Sequence, residues 1–251
     1  MVVAMPNVNQ RRTVITCTNC RLNRYCLPAA LNKSDLKQLE AIVEHNSSYE
    51  KGDHLYRQKA NFKSVYAVRS GSFKSYAFRY NGKERVNGFF FPGEIIGMDG
   101  ISNRSHINAV QALEHASACE IPFSKLENLS HQIPDLQHHF LTLMGKEITN
   151  DKEFHNLLSS YTAEERTAHF LINLSSRCER VSLSPFRLLL PMTRGDIGEY
   201  LGLSLETTSR IFGKLHRKGL IAVNNREIEL LQMEPLRKIA GCETELAQSS
   251  L

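Results

Sequence analysis

The fold is decided by the stretch Thr193-Arg194-Gly195-Asp196-Ile197-Gly198-Glu199-Tyr200-Leu201-Gly202-Leu203-Ser204 and its continuation Leu205-Glu206-Thr207-Thr208-Ser209-Arg210-Ile211-Phe212-Gly213-Lys214-Leu215. Thr193 is a good cap for a short helix, and Gly202 suits the turn that ends it. A second helix follows from Glu206 and ends before Gly219. Helix, glycine-bearing turn and helix form the pattern of a helix-turn-helix unit.

The second of these helices carries a set of side chains that suits DNA bases. Glu206, Ser209 and Arg210 are spaced i, i+3 and i+4, so they share one face. Arginine donates two hydrogen bonds to guanine, glutamate accepts from cytosine, and serine serves either kind of edge. A solvated helix with a simple Glu-Arg ion pair is the alternative, but the helix-turn-helix context favours base reading. The residues expected to position this helix on DNA are Thr193, Arg194 and Lys214.

A hairpin follows the second helix. The apolar runs 220–223 and 226–230 flank Asn224-Asn225, and this pattern predicts two strands joined by a tight turn. The sequence therefore predicts a winged helix-turn-helix.

Cysteine spacing is the second strong signal. Cys17, Cys20 and Cys26 form a C-x2-C-x5-C run, and Cys119 is the distant partner. Four thiolates suit an iron-sulfur cluster or zinc, and a C-x2-C pair also suits a redox dithiol. Two features favour iron-sulfur over zinc: the absence of a second C-x2-C at zinc-ribbon spacing and the absence of a histidine at finger spacing.

Composition limits the class of protein. The 251 residues are 41% hydrophobic, enough for two domains, and a net charge of +5 permits a polyanionic partner. The sequence lacks an apolar run of about 18 residues and a signal peptide pattern, so we expect no membrane partner and a cytoplasmic location. The isolated Cys178 and Cys242 are interpreted as bystanders in a reducing compartment.

The N-terminal half predicts a β-domain. A short amphipathic helix is expected from Asn32 to Val43. Between Tyr49 and about Pro122, short alternating runs are cut by turn signals, which favours an antiparallel barrel or roll. Asn81-Gly82 predicts a hairpin with a two-residue turn.

A long helix with two apolar stripes is expected over residues 134–160. One stripe comprises Leu136, Phe140, Leu143, Phe154 and Leu157; the other, here called the seam stripe, comprises Leu141, Met144, Ile148, Asp151, His155 and Leu158. We expect the first to face its own domain and the seam stripe to form a two-fold dimer. The alternative is that both stripes belong to the ordinary core. The polar residues Asp151 and His155 fit an interface better than a core.

These motifs resemble the fumarate-and-nitrate-reduction (FNR) regulators, an oxygen-sensing branch of the cyclic-AMP-receptor-protein superfamily. The resemblance covers nearly the whole chain. It rests on the cysteine run and on the stretches Ala118-Cys119-Glu120-Ile121-Pro122-Phe123, Ala163-Glu164-Glu165-Arg166, Met192-Thr193-Arg194-Gly195-Asp196-Ile197-Gly198 and Glu206-x-x-Ser209-Arg210.

The resemblance implies a function. It implies that the four cysteines ligate an oxygen-labile [4Fe-4S] cluster, and that the Glu, Ser and Arg of the second helix read palindromic TTGAT half-sites in double-stranded DNA. It also implies RNA polymerase as a partner, with the hairpin at Asn81-Gly82 as a candidate contact. Across a two-fold seam Asp151 would face its own copy, and cluster-dependent packing would offset that repulsion.

Two departures from the superfamily are informative. Cyclic-nucleotide binders carry an arginine after the Gly-Glu turn, but after Gly93-Glu94 the corresponding stretch reads Ser105-His106-Ile107-Asn108-Ala109. We therefore expect no cyclic-nucleotide effector. Arg21, Arg24 and Tyr25 replace small or aliphatic residues of the cysteine loop, where we expect them to change oxygen sensitivity.

The sequence thus predicts an α+β protein that is not an enzyme. Its expected parts are a cysteine-rich segment (1–30), an antiparallel, cupin-like β-roll sensor domain (31–133), a dimerisation helix (134–160) and a winged helix-turn-helix domain (161–251). Its expected function is an oxygen-responsive transcription regulator, mainly an activator, active as a homodimer. A zinc- or dithiol-based regulator remains the alternative; an electron carrier or iron-sulfur enzyme would leave the C-terminal domain unexplained.

Overall fold

The computed structural model describes residues 16–80 and 82–242, and it begins with short helices. Two 3-10 helices, Cys17–Asn19 and Leu27–Ala30, precede α1 (Lys33–Ile42). The side chain of Asn32 accepts hydrogen bonds from the backbone N–H groups of Ser34 and Asp35. This cap satisfies donors that the first turn of a helix leaves free, and it confirms the predicted start of the helix.

Eight strands form the predicted antiparallel roll. They are β1 (Glu44–Tyr49), β2 (His54–Tyr56), β3 (Ser64–Ser70), β4 (Phe73–Phe78), β5 (Glu84–Phe90), β6 (Ile95–Ile96), β7 (Ala109–Ala112) and β8 (Ala116–Pro122). One sheet has the order β1-β8-β3-β6 and the other β2-β7-β4-β5. Side chains from both sheets, including Val68, Phe73 and Val110, are buried together. The alternating pattern in the sequence arises from this two-layer packing.

The turn between β4 and β5 is longer than predicted. The last paired residues are Phe78 and Glu84, with one further backbone hydrogen bond of 2.9 Å from Arg79 N to Lys83 O. Asn81, on which the two-residue turn rested, lies outside the described residues. The hairpin is confirmed, and its predicted turn length is wrong.

The long helix has the predicted bounds. After α2 (Phe123–Gln132), α3 runs from Pro134 to Ser160. Its first stripe faces inward: Leu136, Phe140 and Leu157 are buried, and Phe154 packs on the C-terminal core. The helix thus contributes to the cores of both halves of the chain.

The seam stripe divides between solvent and core. Leu141 and Ile148 are 58% and 56% exposed, as expected for a face that lacks a partner within its own chain. Met144 is half-buried and packs against the core of the roll. The exposed part of the stripe is therefore narrower than the sequence indicated.

The C-terminal part is a winged helix-turn-helix. Its elements are α4 (Ala163–Arg180), β9 (Arg187–Leu189), α5 (Arg194–Leu201), α6 (Leu205–Arg217), β10 (Ile221–Asn224), β11 (Glu227–Leu230) and α7 (Met233–Ile239). Strands β10 and β11 form the predicted wing. β9, which the sequence analysis did not predict, pairs with β11 and completes a three-stranded sheet.

Ion pairs join the two halves of the chain. Lys74 of β4 lies 2.9 Å from Asp196 of α5, with side chains only 11% and 15% exposed. Glu94, beyond β5, binds Arg177 and Arg180 of α4 at 2.6 and 2.8 Å. A cavity of about 420 Å³ lies between the halves, next to these pairs. None of the helices in the described ranges is long and apolar enough to span a membrane.

Two glycines are required by the geometry of the helix-turn-helix. Gly202 has a φ of +68°, a left-handed conformation that costs other residues about 1–2 kcal/mol. Gly198 allows α5 to approach the turn closely: a Cβ atom there would lie 2.8 Å from the carbonyl oxygen of Leu203 and 3.0 Å from the hydroxyl of Thr208.

Replacing Gly198 with alanine is expected to lower the free energy of unfolding by about 1–3 kcal/mol, because the added methyl group meets backbone that cannot yield. Gly213→Ala is the matched control, since a Cβ atom there meets only the flexible end of Arg217, at 3.4 Å. The control should stabilise α6 by up to about 1 kcal/mol. Denaturant unfolding of both variants measures this, and stabilisation of both would contradict the close approach.

Candidate metal centre and DNA-binding surface

The four predicted cysteines converge on one pocket. Cys17, Cys20, Cys26 and Cys119 line a space of about 40 Å³, here called the thiol pocket. Its other walls are mainly apolar and include Leu27, Leu39, Val43, Val68 and Ile121. Residues from the N-terminal segment and from the centre of the roll thus surround the same space.

Each part of the pocket is held by its own local structure. Cys17 begins a 3-10 helix, in which the hydroxyl of Thr18 donates to the carboxylate of Glu40 on α1 at 2.7 Å. Cys26 precedes the second 3-10 helix, and its carbonyl accepts a hydrogen bond from Ala29 N. Cys119 lies within β8, opposite Ala67 of β3. Strand pairing therefore fixes the fourth thiol, and short helices orient the others.

Burial favours the protonated form of three of the four thiols. Together with the charges of Cys119 and Glu40, it raises the pKa of Cys17 to about 12. It also raises the pKa values of Cys26 and Cys119. A metal centre must displace these protons, since thiolate is the ligand form.

The donor set fits a sulfur-ligated centre. Four thiols are the ligand set of iron-sulfur clusters and of structural zinc sites. Across residues 16–80 and 82–242, no three cysteine, histidine or carboxylate side chains meet at the distances of a single bound ion. The four thiols line one pocket without forming a ligand group of that kind.

The cation that lines the thiol pocket was missed by the sequence analysis. Arg69 of β3 shares the face of Cys119, and its charge lowers the pKa of that thiol against the larger effect of burial. Arg21 and Arg24 are exposed. Tyr25 lies against Gly93: a Cβ atom added to this glycine would lie 3.1 Å from the Cβ atom of Tyr25. Only pairing of β3 with β8 brings Arg69 here, so no local sequence signal identified it.

A largely buried carboxylate, Asp99, contacts the stretch 105–109 that the sequence analysis compared with cyclic-nucleotide binders. Asp99 accepts hydrogen bonds of 3.1 Å from the backbone N–H groups of Ile107 and Asn108 and contacts His106 Nδ1 at 3.1 Å. Burial favours a raised pKa for Asp99, but the hydrogen bonds from His106 and Asn108 outweigh it and lower the pKa. An internal anion thus uses donors of this stretch. The expectation of no cyclic-nucleotide effector stays a prediction.

Helix α6 has an exposed side and a buried side, as predicted. Ser204 caps the helix by accepting from Thr207 N. Glu206, Ser209 and Arg210 are exposed on one side. The opposite side is buried in the C-terminal core and comprises Thr208, Ile211, Phe212 and Leu215.

The residues predicted to meet phosphates have partners within the chain. The hydroxyl of Thr193 donates to Asp196 at 2.6 Å as part of a capping box, and Arg194 stacks on the ring of Phe212 at 3.7 Å. Lys214 and its neighbour on the next turn, Lys218, both bind the carboxylate of Glu164. These lysines lower the pKa of Glu164. DNA must therefore compete with a carboxylate for Lys214.

A like-charge pair lies on α3. The predicted seam residue Asp151 is one turn from Glu147, and both line the cavity between the two halves. Burial and the neighbouring charge of Asp151 raise the pKa of Glu147 to about 7. Burial also raises the pKa of Asp151. The sequence analysis placed repulsion between two copies of Asp151, and the structure adds repulsion within one chain.

Comparison with known families supports both halves of this description. A Crp-like helix-turn-helix domain matches residues 165–239, and a cyclic nucleotide-binding domain matches residues 46–132. The fumarate and nitrate reduction regulatory protein of Yersinia pestis is 41% identical over 90% of this chain and 91% of its own length. The transcriptional activator protein Anr of Pseudomonas protegens is 41% identical over 91% and 94%. These relatives are regulators, not enzymes.

Solved structures show the same architecture. FixK2 of Bradyrhizobium japonicum superposes with a TM-score of 0.72 at 29% identity, over 79% of this chain and 98% of FixK2. TTHB099 of Thermus thermophilus, a regulator of the CRP family, gives 0.64 at 16% identity over 80% and 100%, which shows a shared fold. The α+β architecture of roll, long helix and helix-turn-helix is confirmed.

Replacing Arg210 with alanine is expected to cost about 1–3 kcal/mol on a matched palindrome and to relax discrimination at the guanine position, because a bidentate contact is lost. Lys214→Ala should instead weaken binding to all sequences and flatten the salt slope by about one unit. Titration of matched and guanine-substituted duplexes over a salt series measures both. Lys238→Ala, an exposed lysine of α7, is the control. Equal losses on both duplexes for Arg210→Ala would make it a phosphate contact.

Proposed function

The chain belongs to the fumarate-and-nitrate-reduction (FNR) regulators of the cyclic-AMP-receptor-protein superfamily, and from this membership we propose that it senses oxygen through an iron-sulfur centre in the thiol pocket. It is a transcription regulator with a helix-turn-helix DNA-binding domain. The finer proposal is an activator of anaerobic genes that binds palindromic TTGAT-type sites as a homodimer when oxygen is low.

The observation that carries this proposal is the convergence of four thiols on one pocket. Cys17, Cys20, Cys26 and Cys119 would hold a [4Fe-4S] cluster, which would supply an oxygen-labile centre. Mainly apolar walls surround these partly exposed thiols, and Arg69 supplies positive charge beside a ligand set that is negative once deprotonated.

Dimerisation would connect the pocket to DNA. A palindrome is read by two recognition helices about one DNA turn apart, so a single chain binds only half of it. The exposed Leu141 and Ile148 of α3 are apolar groups that a second copy would cover. The charge of Asp151 would oppose this association, so the cluster-dependent packing of the N-terminal segment would have to outweigh it.

Contact with RNA polymerase is proposed at the β4–β5 hairpin. Tyr80 near its tip is fully exposed, and a backbone hydrogen bond from Arg79 N to Lys83 O closes the loop. This proposal rests on the resemblance to FNR regulators, as does a cytoplasmic location.

Anaerobic reconstitution tests the metal assignment. A protein loaded with iron and sulfide should show a broad visible absorption band that air removes, together with about four iron and four sulfide per chain. A colourless protein that retains zinc would favour the zinc alternative, and a metal-free protein with reversible thiol oxidation would favour the dithiol alternative.

Replacing any one of Cys17, Cys20, Cys26 or Cys119 with serine should abolish the cluster, because a hydroxyl is a poorer ligand for iron than a thiolate. Cys178→Ser and Cys242→Ser are matched controls, since both residues pack against the C-terminal core, outside the thiol pocket. Iron and sulfide analysis of the six variants measures this. Full occupancy in Cys119→Ser would remove Cys119 from the ligand set.

Replacing Asp151 with alanine should let the clusterless protein dimerise in air and bind its palindrome, because the change removes a repelling charge from both copies and preserves the helix. Glu153→Ala is the control: it removes the same charge from the same helix, outside the seam stripe. Sedimentation of aerobic proteins at matched concentration is the measurement. If Asp151→Ala stays monomeric like wild type, Asp151 does not restrain dimerisation.

A further inference from the structure

One side chain of the long helix reaches the backbone of a proposed ligand residue. Nε2 of His139, on α3, lies 3.2 Å from the carbonyl oxygen of Cys26. The same oxygen accepts a hydrogen bond of 3.0 Å from Ala29 N. A ring N–H is the only hydrogen-bond donor that the His139 side chain offers to a carbonyl oxygen. His139 thus joins α3 directly to the segment that carries three of the four thiols.

Apolar packing next to this hydrogen bond also joins α3 to the cysteine segment. The 3-10 helix Leu27–Ala30 begins at Cys26, and Leu27 is buried in a cluster with Leu136 and Phe140 of α3. His139 lies between these two on the helix, one turn or less from each. A displacement of Cys26 therefore disturbs both the hydrogen bond and the apolar contact at the same end of α3.

The same end of α3 carries the start of the seam stripe. Leu141, two residues beyond His139, is on the exposed side, and Leu143 and Met144 return to the core of the roll. A dimer needs the exposed side of α3 in a fixed rotation, because a two-fold seam repeats any misalignment in both copies. Leu27 and the carbonyl of Cys26 contact this end of α3 from its inner side.

We propose that His139 is a positioning residue that transmits the state of the thiol pocket to the dimer seam. This inference rests on the proposed function. When Cys26 is fixed as a metal ligand, its carbonyl is a stationary acceptor and His139 anchors α3 to it. When ligation is lost, Cys26 is no longer held from the pocket side, and the anchor and the adjoining Leu27 contact weaken together. A ligand-dependent contact of this kind shifts the monomer–dimer equilibrium toward the state that makes it.

The test compares three variants of the cluster-loaded protein under anaerobic conditions. His139→Ala removes the donor, His139→Gln keeps an amide N–H of similar reach, and His138→Ala changes an exposed neighbour whose side chain has no bond to the cysteine segment among the described residues. Sedimentation gives the dimer dissociation constant, iron and sulfide analysis gives loading, and hydrogen exchange reports the Ala29 amide.

His139→Ala is expected to keep wild-type iron and sulfide, to weaken the loaded dimer about threefold to tenfold, as expected for one hydrogen bond, and to speed exchange at Ala29. His139→Gln should restore both readouts, and His138→Ala should change neither. A general loss of folding would not be rescued by glutamine.

Two outcomes would overturn the inference. A loaded His139→Ala protein that dimerises like wild type would show that the contact does not reach the seam. His138→Ala weakening the dimer as much as His139→Ala would show a nonspecific effect of the helix. Failure of the proposed function has a different signature, namely a wild-type protein that holds neither iron nor sulfide, and it would remove the inference as well.

Discussion

The convergence of three N-terminal thiols on Cys119 is the constraint on which the rest of the structure depends. Residues 16–32 contain two short 3-10 helices, and Leu27 and Pro28 are the only buried residues within this range, so it has little packing of its own. It is held by the wall of β3 and β8, by α1 through Glu40, and by α3 through His139. Regions with few buried contacts open at low free energy. If Cys26 ligates a metal as proposed, ligation acts on a segment with few buried contacts that touches three packed elements.

One face of the long helix packs on the cores of both halves of the chain, and the opposite face is exposed. At 1.5 Å per residue, its 27 residues span about 40 Å, enough to pass both halves of the chain. Leu136 and Phe140 belong to the core of the roll, and Phe154 packs on the C-terminal core. The exposed Leu141 and Ile148 lie between these anchors. A small rotation at the N-terminal anchor therefore moves the exposed face relative to the DNA-binding domain.

Whether the sequence predicted a feature depended on how far apart in the chain the interacting residues lie. The Asn32 cap, the bounds of α3 and the glycine turn at Gly202 depend on neighbouring residues, so local patterns were sufficient. The set of four cysteines was accessible because its chemistry limits the alternatives. Strand β9 is only three residues long, and its pairing with β11 is a tertiary contact. The β4–β5 turn lengthened because strand register, not the Asn-Gly signal alone, sets where pairing stops.

The ion-pair partners of charged residues were the least predictable feature, because the local sequence around a charged residue does not show which distant residue it will contact. Lys214 was expected to contact DNA phosphate, yet in this structure it binds the carboxylate of Glu164 on α4. Arg69 was unremarked, yet strand pairing brings it to the thiol pocket.

Paired charges connect the half of the chain that holds the thiol pocket to the half that holds the helix-turn-helix. Glu94 binds Arg177 and Arg180 of the C-terminal half, and the preceding Gly93 lies against Tyr25 of the cysteine loop. Breaking a largely buried pair such as Lys74 with Asp196 by removing one partner costs about 3–5 kcal/mol, because the other charge stays buried. Asp196 also caps α5, so the docking of the halves and the shape of the helix-turn-helix share one carboxylate. If metal ligation shifts this protein between two states, as proposed, the shift is limited to the difference in what ligation contributes to each state.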